Sequence, residues 1–187
     1  MGNIDQYTNR LIHVFGCEII EYEITVSQQF LSLQNTCKSE RPNGSIAHRH
    51  IRLILSDAAK IGLIFFPVVK KNTTRTTRAE ILRREFGVLD DSLLKDRDLR
   101  HDLEHLDERL DTWAATSARK TFGRAMLGSR NDAQRLGITT EDILGIFDPE
   151  NMIYSFKDND ICIDDLVFEI QRVAHDARRK LRETPWK

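Results

Sequence analysis

The sequence predicts a mainly α-helical bundle of four to six helices with a small β-hairpin before the C-terminal helix. Three observations predict it. Apolar residues recur every three or four positions through most of the chain, the period of a helix with one face turned to a core. Between about 152 and 163 the period drops to two, the spacing of a half-buried strand. Beyond that the helical spacing returns and runs to the C-terminus. The 187 residues carry no internal repeat or low-complexity tract, which suits a single domain over 1–187 with the hairpin, near 147–163, as an elaboration.

A short amphipathic start precedes a long helix over about 17–37, where Ile19, Val26, Phe30, Leu33 and Cys37 fall at heptad-like intervals. The turn-forming stretch SERPNGS ends it. From Ser45 to Phe66, Ala47, Ile51, Ile54, Ala58, Ile61 and Phe65 mark a second, strongly apolar helix. Pro67 stops it, lacking the N–H a helix needs. The linker VVKKNTTRTT has no apolar period, and the stretch KKNTTRTTR resembles a phosphate-contacting loop in composition. Thr77 and Glu80 form a T-x-x-E capping box for a short helix ending near Gly87. Asp90 or Asp91 can cap a long helix through Trp113, with Leu99, Leu103, Leu106, Leu110 and Trp113 as its inward stripe. A basic helix, SARKTFGRAML, and a polar, glycine-punctuated connection fill Thr116 to Gly145. Met152, Tyr154 and Phe156 then alternate with Ile153 and Ser155, Asp158-Asn159-Asp160 reads as a turn, and Ile161-Cys162-Ile163 returns as the second strand. Asp164 or Asp165 caps a last helix with Leu166, Ile170, Val173, Ala177 and Leu181 on one side.

Composition limits the function classes. The 28 Lys+Arg and 29 Asp+Glu nearly cancel, so any site for a polyanion must be a local patch rather than a whole-molecule field. Cys17, Cys37 and Cys162 are odd in number and widely spaced, unlike a disulfide framework or a zinc ribbon, and are expected as reduced, mostly buried thiols. The N-terminal residues lack the apolar run of a signal peptide, and IGLIFFPVV is too short to span a bilayer. These features predict a soluble cytoplasmic protein with no membrane partner. His48 and His50 point different ways on a helix and are poorly placed to share a metal. His13 and His175 stand alone.

Ionisable chemistry concentrates in LRHDLEHLDERL, Leu99 to Leu110. With the leucine stripe inward, His101, Glu104, His105 and Glu108 project outward and Arg100 stands on their flank. Such residues also make an ordinary solvated helix face. One functional reading is zinc: His101-Asp102-Leu103-Glu104-His105 has the form H-x-x-E-H, two imidazoles one turn apart with a Glu as general base. A zinc hydrolase needs a third ligand, for which Glu169 is available by type.

The other reading takes Arg100 and His105 as R-x4-H, with His101 directly after the arginine. The pattern resembles the signature of the HEPN superfamily, small helical domains of bacterial toxins, defence systems and RNA-processing nucleases. That motif is R-x(4 to 6)-H, usually with Asn, Asp or His after the Arg. The resemblance covers Leu99 to Trp113 in detail, and helix count extends it loosely over the chain; a C-terminal β-hairpin is not part of the family's minimal bundle. It implies a metal-independent endoribonuclease without cofactor, acting on RNA as a homodimer, with an antitoxin or regulatory protein as a further partner. The residue types suit the reaction, in which the RNA's own 2′-hydroxyl attacks the adjacent phosphate. Arg100 would clamp phosphate oxygens and stabilise the accumulating charge, and His105 would move the proton. His101 would position the reacting groups, and Glu104 could orient an imidazole. Arg119, Lys120 and Arg124 would extend the cleft along the RNA backbone. On one helix Arg100 and His105 project about 140° apart, so a single copy presents an incomplete site that a two-fold dimer completes. The alternative is a bundle that serves as a non-catalytic RNA-binding or protein-interaction module.

Overall fold

The computed structural model describes residues 5–68, 74–96, 106–116, 123, 125–139, 142–156 and 159–185. The architecture is mainly α-helical, with a small sheet ahead of the C-terminal helix, as the spacing predicts. In chain order come α1 (Gln6–Lys38), α2 (Gly44–Phe65), α3 (Thr74–Glu85), a 3-10 turn (Leu93–Lys95), α4 (Leu106–Thr116), β1 (Met126–Leu127), α5 (Arg130–Arg135), β2 (Gly145–Asp148), β3 (Ile153–Phe156), β4 (Asn159–Cys162) and α6 (Ile163–Glu183). No described helix is long and apolar enough to cross a membrane. The chain divides into two compact units, Met1–Ser27 with Ser56–Asp96 and Leu166–Lys187, and Gln28–Leu55 with Arg97–Asp165.

The first unit is helical. The Asp5 carboxylate accepts from the backbone N–H of Thr8 at 2.9 Å and so caps α1, which runs unbroken from Gln6; the expected short start and long helix are one element. Ile12, Ile19 and Val26 recur every seventh residue and are fully buried. Ile61 and Phe65 of α2, Leu82 of α3, and Ile170, Val173, Ala174 and Ala177 of α6 are fully buried too. Phe65 meets Phe86 edge to face at 6.2 Å. Gly62 allows a close approach, since a Cβ there would run into the carbonyl oxygen of Leu94.

The end of α2 shows how this unit closes. A helix leaves its last carbonyls without partners, and Pro67 cannot extend the ladder. Arginines supply the donors: Arg78 donates to Leu63 and Ile64 at 3.2 and 3.3 Å, and Arg83 to Phe65 at 2.8 Å. Their guanidinium groups also lie over Phe15 and Phe66, at 4.8 and 5.1 Å from the ring centroids. α3, which carries both, starts at Thr74, so Thr77 lies inside it and does not cap it. Its end agrees with expectation. Gly87 takes φ +61°, and Val88 N–H donates back to Arg83 at 2.9 Å, the bond that closes a helix through a left-handed glycine. From α6, Arg178 donates to buried Glu23 at 2.6 Å and Lys180 to Glu85 at 3.0 Å. His13 is hydrogen-bonded to the Thr184 carbonyl.

The second unit holds the sheet, in the order β1-β2-β3-β4. The expected hairpin is β3–β4, antiparallel, with Ile153 opposite Cys162 and Phe156 opposite Asn159. Asn159 and Asp160 belong to β4 rather than to a turn. β2 joins β3 on its other side, and β1 adds a parallel edge, Met126 opposite Ile146. This corrects the expected basic helix through Leu127: Gly123 bridges Ile143 and Met126–Leu127 is a strand, because pairing with β2 outweighs local helix preference. Within the polar connection, the Ser129 and Asp132 capping box starts α5. Ala133, Ile143 and Ile146 form a small core with Met126 and Ile138 against it. The cysteine expectation is also corrected, since Cys17 is exposed and Cys37 and Cys162 are only half-buried.

His48 of α2 is 3 % exposed, donates through Nε2 to the Met126 carbonyl at 3.0 Å, and meets Tyr154 edge to face at 5.4 Å. Burial pushes the imidazole below its ordinary range, and Arg52 adds to this against the opposing Met126 bond. Burial also pushes the Tyr154 phenol up to about 12, so its OH stays protonated beside the ring. His50, bonded to Gln29 at 2.8 Å, is lowered by burial and by Arg49. Both folded-state values lie below 6.5, so the unfolded chain binds more protons as pH falls through that point. Stability from these histidines is therefore full above about pH 6.5 and declines below it. Urea titrations monitored on the second unit should show a lower midpoint at pH 5.5 than at pH 7.5, and His48→Gln, which keeps a donor for Met126, should flatten that difference.

Candidate functional site

Arg100, His101, Glu104 and His105 lie outside the described residues, as do Arg119, Lys120 and Arg124. What is described is the chain on either side of each group.

Over the described residues 90–96, the helix expected from Asp90 or Asp91 is not present. Both aspartates sit in a turn, Ser92 caps the single 3-10 turn Leu93–Lys95, and Asp96 is extended at φ −62°, ψ 128°. The reason is a tertiary anchor. The Ser92 hydroxyl accepts from Leu94 N–H at 3.3 Å and donates to Glu169 of α6 at 2.7 Å. Arg172 donates to both oxygens of that carboxylate, at 3.0 and 3.1 Å. Burial would raise the Glu169 carboxyl, but the bonds from Arg172 and Ser92 outweigh it and hold it below its usual range. Glu169, the residue available as a third zinc ligand, is thus engaged as the charged acceptor of this anchor. Among the described residues, no three His, Cys, Asp or Glu side chains gather as a metal ion would require.

Downstream of His105, α4 begins at Leu106 and continues to Thr116, three residues past Trp113. Asp107 and Glu108 stand in the first turn of this span. They are exposed, as is Asp111, so the helix leaving the motif presents a negative face. Leu110 and Trp113 are half-buried and three residues apart, on a shared face that agrees with the described part of the expected stripe. Thr112 and Thr116 donate their hydroxyls back to the carbonyls of Glu108 and Thr112, each at 2.8 Å.

The segment carrying Arg119, Lys120 and Arg124 leads into β1, whose Met126 carbonyl His48 holds. The next described arginines are committed to carboxylates, Arg130 to Asp160 at 2.8 Å and Arg135 to Asp132 at 3.3 Å. Of KKNTTRTTR, residues 70–73 lie outside the described residues, while Thr74 to Arg78 open α3 and Arg78 caps α2.

Sequence reasoning missed two polar centres, the half-buried Ser92–Glu169–Arg172 and the buried His48 with the Met126 carbonyl. The first had a partial signal, since Glu169 and Arg172 are three apart on one helix face. The second had none, because its partners lie 78 residues apart. No protein-family model, curated protein or solved structure matches this chain.

Proposed function

We propose that the chain is a metal-independent, HEPN-like endoribonuclease that cuts RNA at an Arg/His site shared between two copies. The observation that carries this reading is Arg100-x4-His105 with His101 directly after the arginine. A mainly helical architecture, with α4 described over Leu106–Thr116, supports it. In the reaction, His105 removes the 2′-hydroxyl proton, the 2′-oxygen bonds to phosphorus, and the 5′-oxygen leaves and is protonated. Arg100 neutralises the charge that builds on the phosphate oxygens. His101 positions the phosphate and Glu104 orients an imidazole. Arg119, Lys120 and Arg124 hold the flanking backbone.

A specific observation favours the second reading, a non-catalytic RNA-binding or protein-interaction module. The exposed carboxylates Asp107, Glu108 and Asp111 follow the motif and would repel a polyanion running along α4. A protein partner with a basic surface, such as an antitoxin or regulator, would suit that face.

Incubating the purified chain with single-stranded RNA in EDTA distinguishes the readings. The enzyme yields fragments ending in 2′,3′-cyclic phosphate and 5′-hydroxyl. Intact RNA, bound or unbound, supports the module. Cleavage abolished by the chelator and restored by zinc supports the H-x-x-E-H hydrolase.

A further inference from the structure

Helix α1 has two apolar faces. One is the buried series Ile12, Ile19 and Val26. On the opposite side, Tyr7, Arg10, Val14, Cys17, Glu21 and Ile24 are all exposed, at alternating steps of three and four. Tyr7, Val14 and Ile24 are 46 %, 52 % and 42 % exposed. Scattered exposed apolar side chains are ordinary on a protein surface. Four in the a and d positions of an unbroken frame have the spacing that holds a facing helix knobs-into-holes. From Tyr7 to Ile24 the frame runs about 26 Å.

The charges in the frame select the occupant. A parallel second copy would set Arg10 against Arg10 and Glu21 against Glu21, which disfavours it. An antiparallel copy brings a positions against d positions. Centred between Phe15 and Gly16, it sets Tyr7 against Ile24, Arg10 against Glu21 and Val14 against Cys17, and the two-fold repeats each layer. A slide of one heptad would oppose Arg10 to Gln28 and Glu21 to Cys17, losing both ion pairs. We propose that this face of α1 pairs two copies of the chain as a short antiparallel coiled coil in that register. The pairing does not rest on the ribonuclease reading, since the frame lies wholly on α1 and the catalytic motif begins at Arg100.

Sedimentation of the full chain at micromolar concentration tests it, with circular dichroism as the check on folding. Val14→Asp/Ile24→Asp should lower the weight-average mass about twofold. Arg10→Glu and Glu21→Arg should each weaken association about tenfold, by opposing like charges. The double variant Arg10→Glu/Glu21→Arg restores opposite charges in each layer and should recover wild-type association. In a Cys37→Ser/Cys162→Ser background, a short bis-maleimide should link Cys17 to Cys17, and Val14→Asp/Ile24→Asp should prevent it. The proposal is overturned by a monomeric wild type, by an undiminished mass in Val14→Asp/Ile24→Asp, or by a double charge variant no better than the single ones.

Discussion

Replacing His105 by Ala is expected to slow RNA cleavage about 10²-fold or more, and Arg100→Ala to be comparably damaging. The two losses have different origins. Without His105 the imidazole assigned to take the 2′-proton is lost; without Arg100 the charge on the non-bridging phosphate oxygens would lose its assigned counter-charge. Neither residue belongs to the leucine stripe of the motif, so both variants should keep the wild-type circular dichroism spectrum and melting temperature. Glu108→Gln is the control. It alters an exposed carboxylate in the first turn of α4 and should change the rate by less than about threefold. The proposed shared site adds a sharper expectation. Mixing Arg100→Ala chains with His105→Ala chains creates heterodimers that retain one arginine and one histidine on opposite copies. Such a mixture should regain activity that neither variant shows alone. Wild-type rates in both single variants would remove the catalytic assignment, and a mixture as inactive as its components would remove the shared site.

The parts of the fold legible in the sequence are those governed by local pattern. α2 spans Gly44–Phe65 where Ser45 to Phe66 is expected, because its apolar spacing and Pro67 are local signals. α6 and the β3–β4 pairing follow in the same way from helical spacing and from alternation. What was not legible depends on partners distant in sequence. Ser92 displaces Asp90 and Asp91 as a cap because its hydroxyl reaches Glu169, 77 residues away. Met126 and Leu127 leave a helix-like context because β2 and His48 capture them. α3 starts before its capping box, and two of its arginines serve the end of α2. For the site, the types and spacing of Arg100 and His105 are readable from one chain. The proposed convergence of two such pairs on one phosphate would involve a second copy, which the motif's local pattern does not encode.

Truncating Phe65 to Ala should be among the most destabilising single changes to the first unit, at about 3–5 kcal/mol. Phe65 is fully buried, and its loss removes both the apolar transfer term and the edge-to-face contact with Phe86. The surroundings are poorly able to collapse into the space. Pro67 fixes the chain two residues on, Arg83 holds the Phe65 carbonyl, and Gly62 already brings α2 against the backbone of Leu94. A cavity that cannot relax retains its full cost. Phe168→Ala provides the contrast, since that ring is 69 % exposed on α6 in the same unit and its loss should cost no more than about 0.5 kcal/mol. In urea, Phe65→Ala should move the midpoint strongly with little change in slope, whereas Phe168→Ala should leave both near wild type. Equal, small shifts in the two variants would mean that Phe65 lies in a looser environment than its burial and its contact with Phe86 imply. The α2–α3 junction would then be held chiefly by the arginines that cap it.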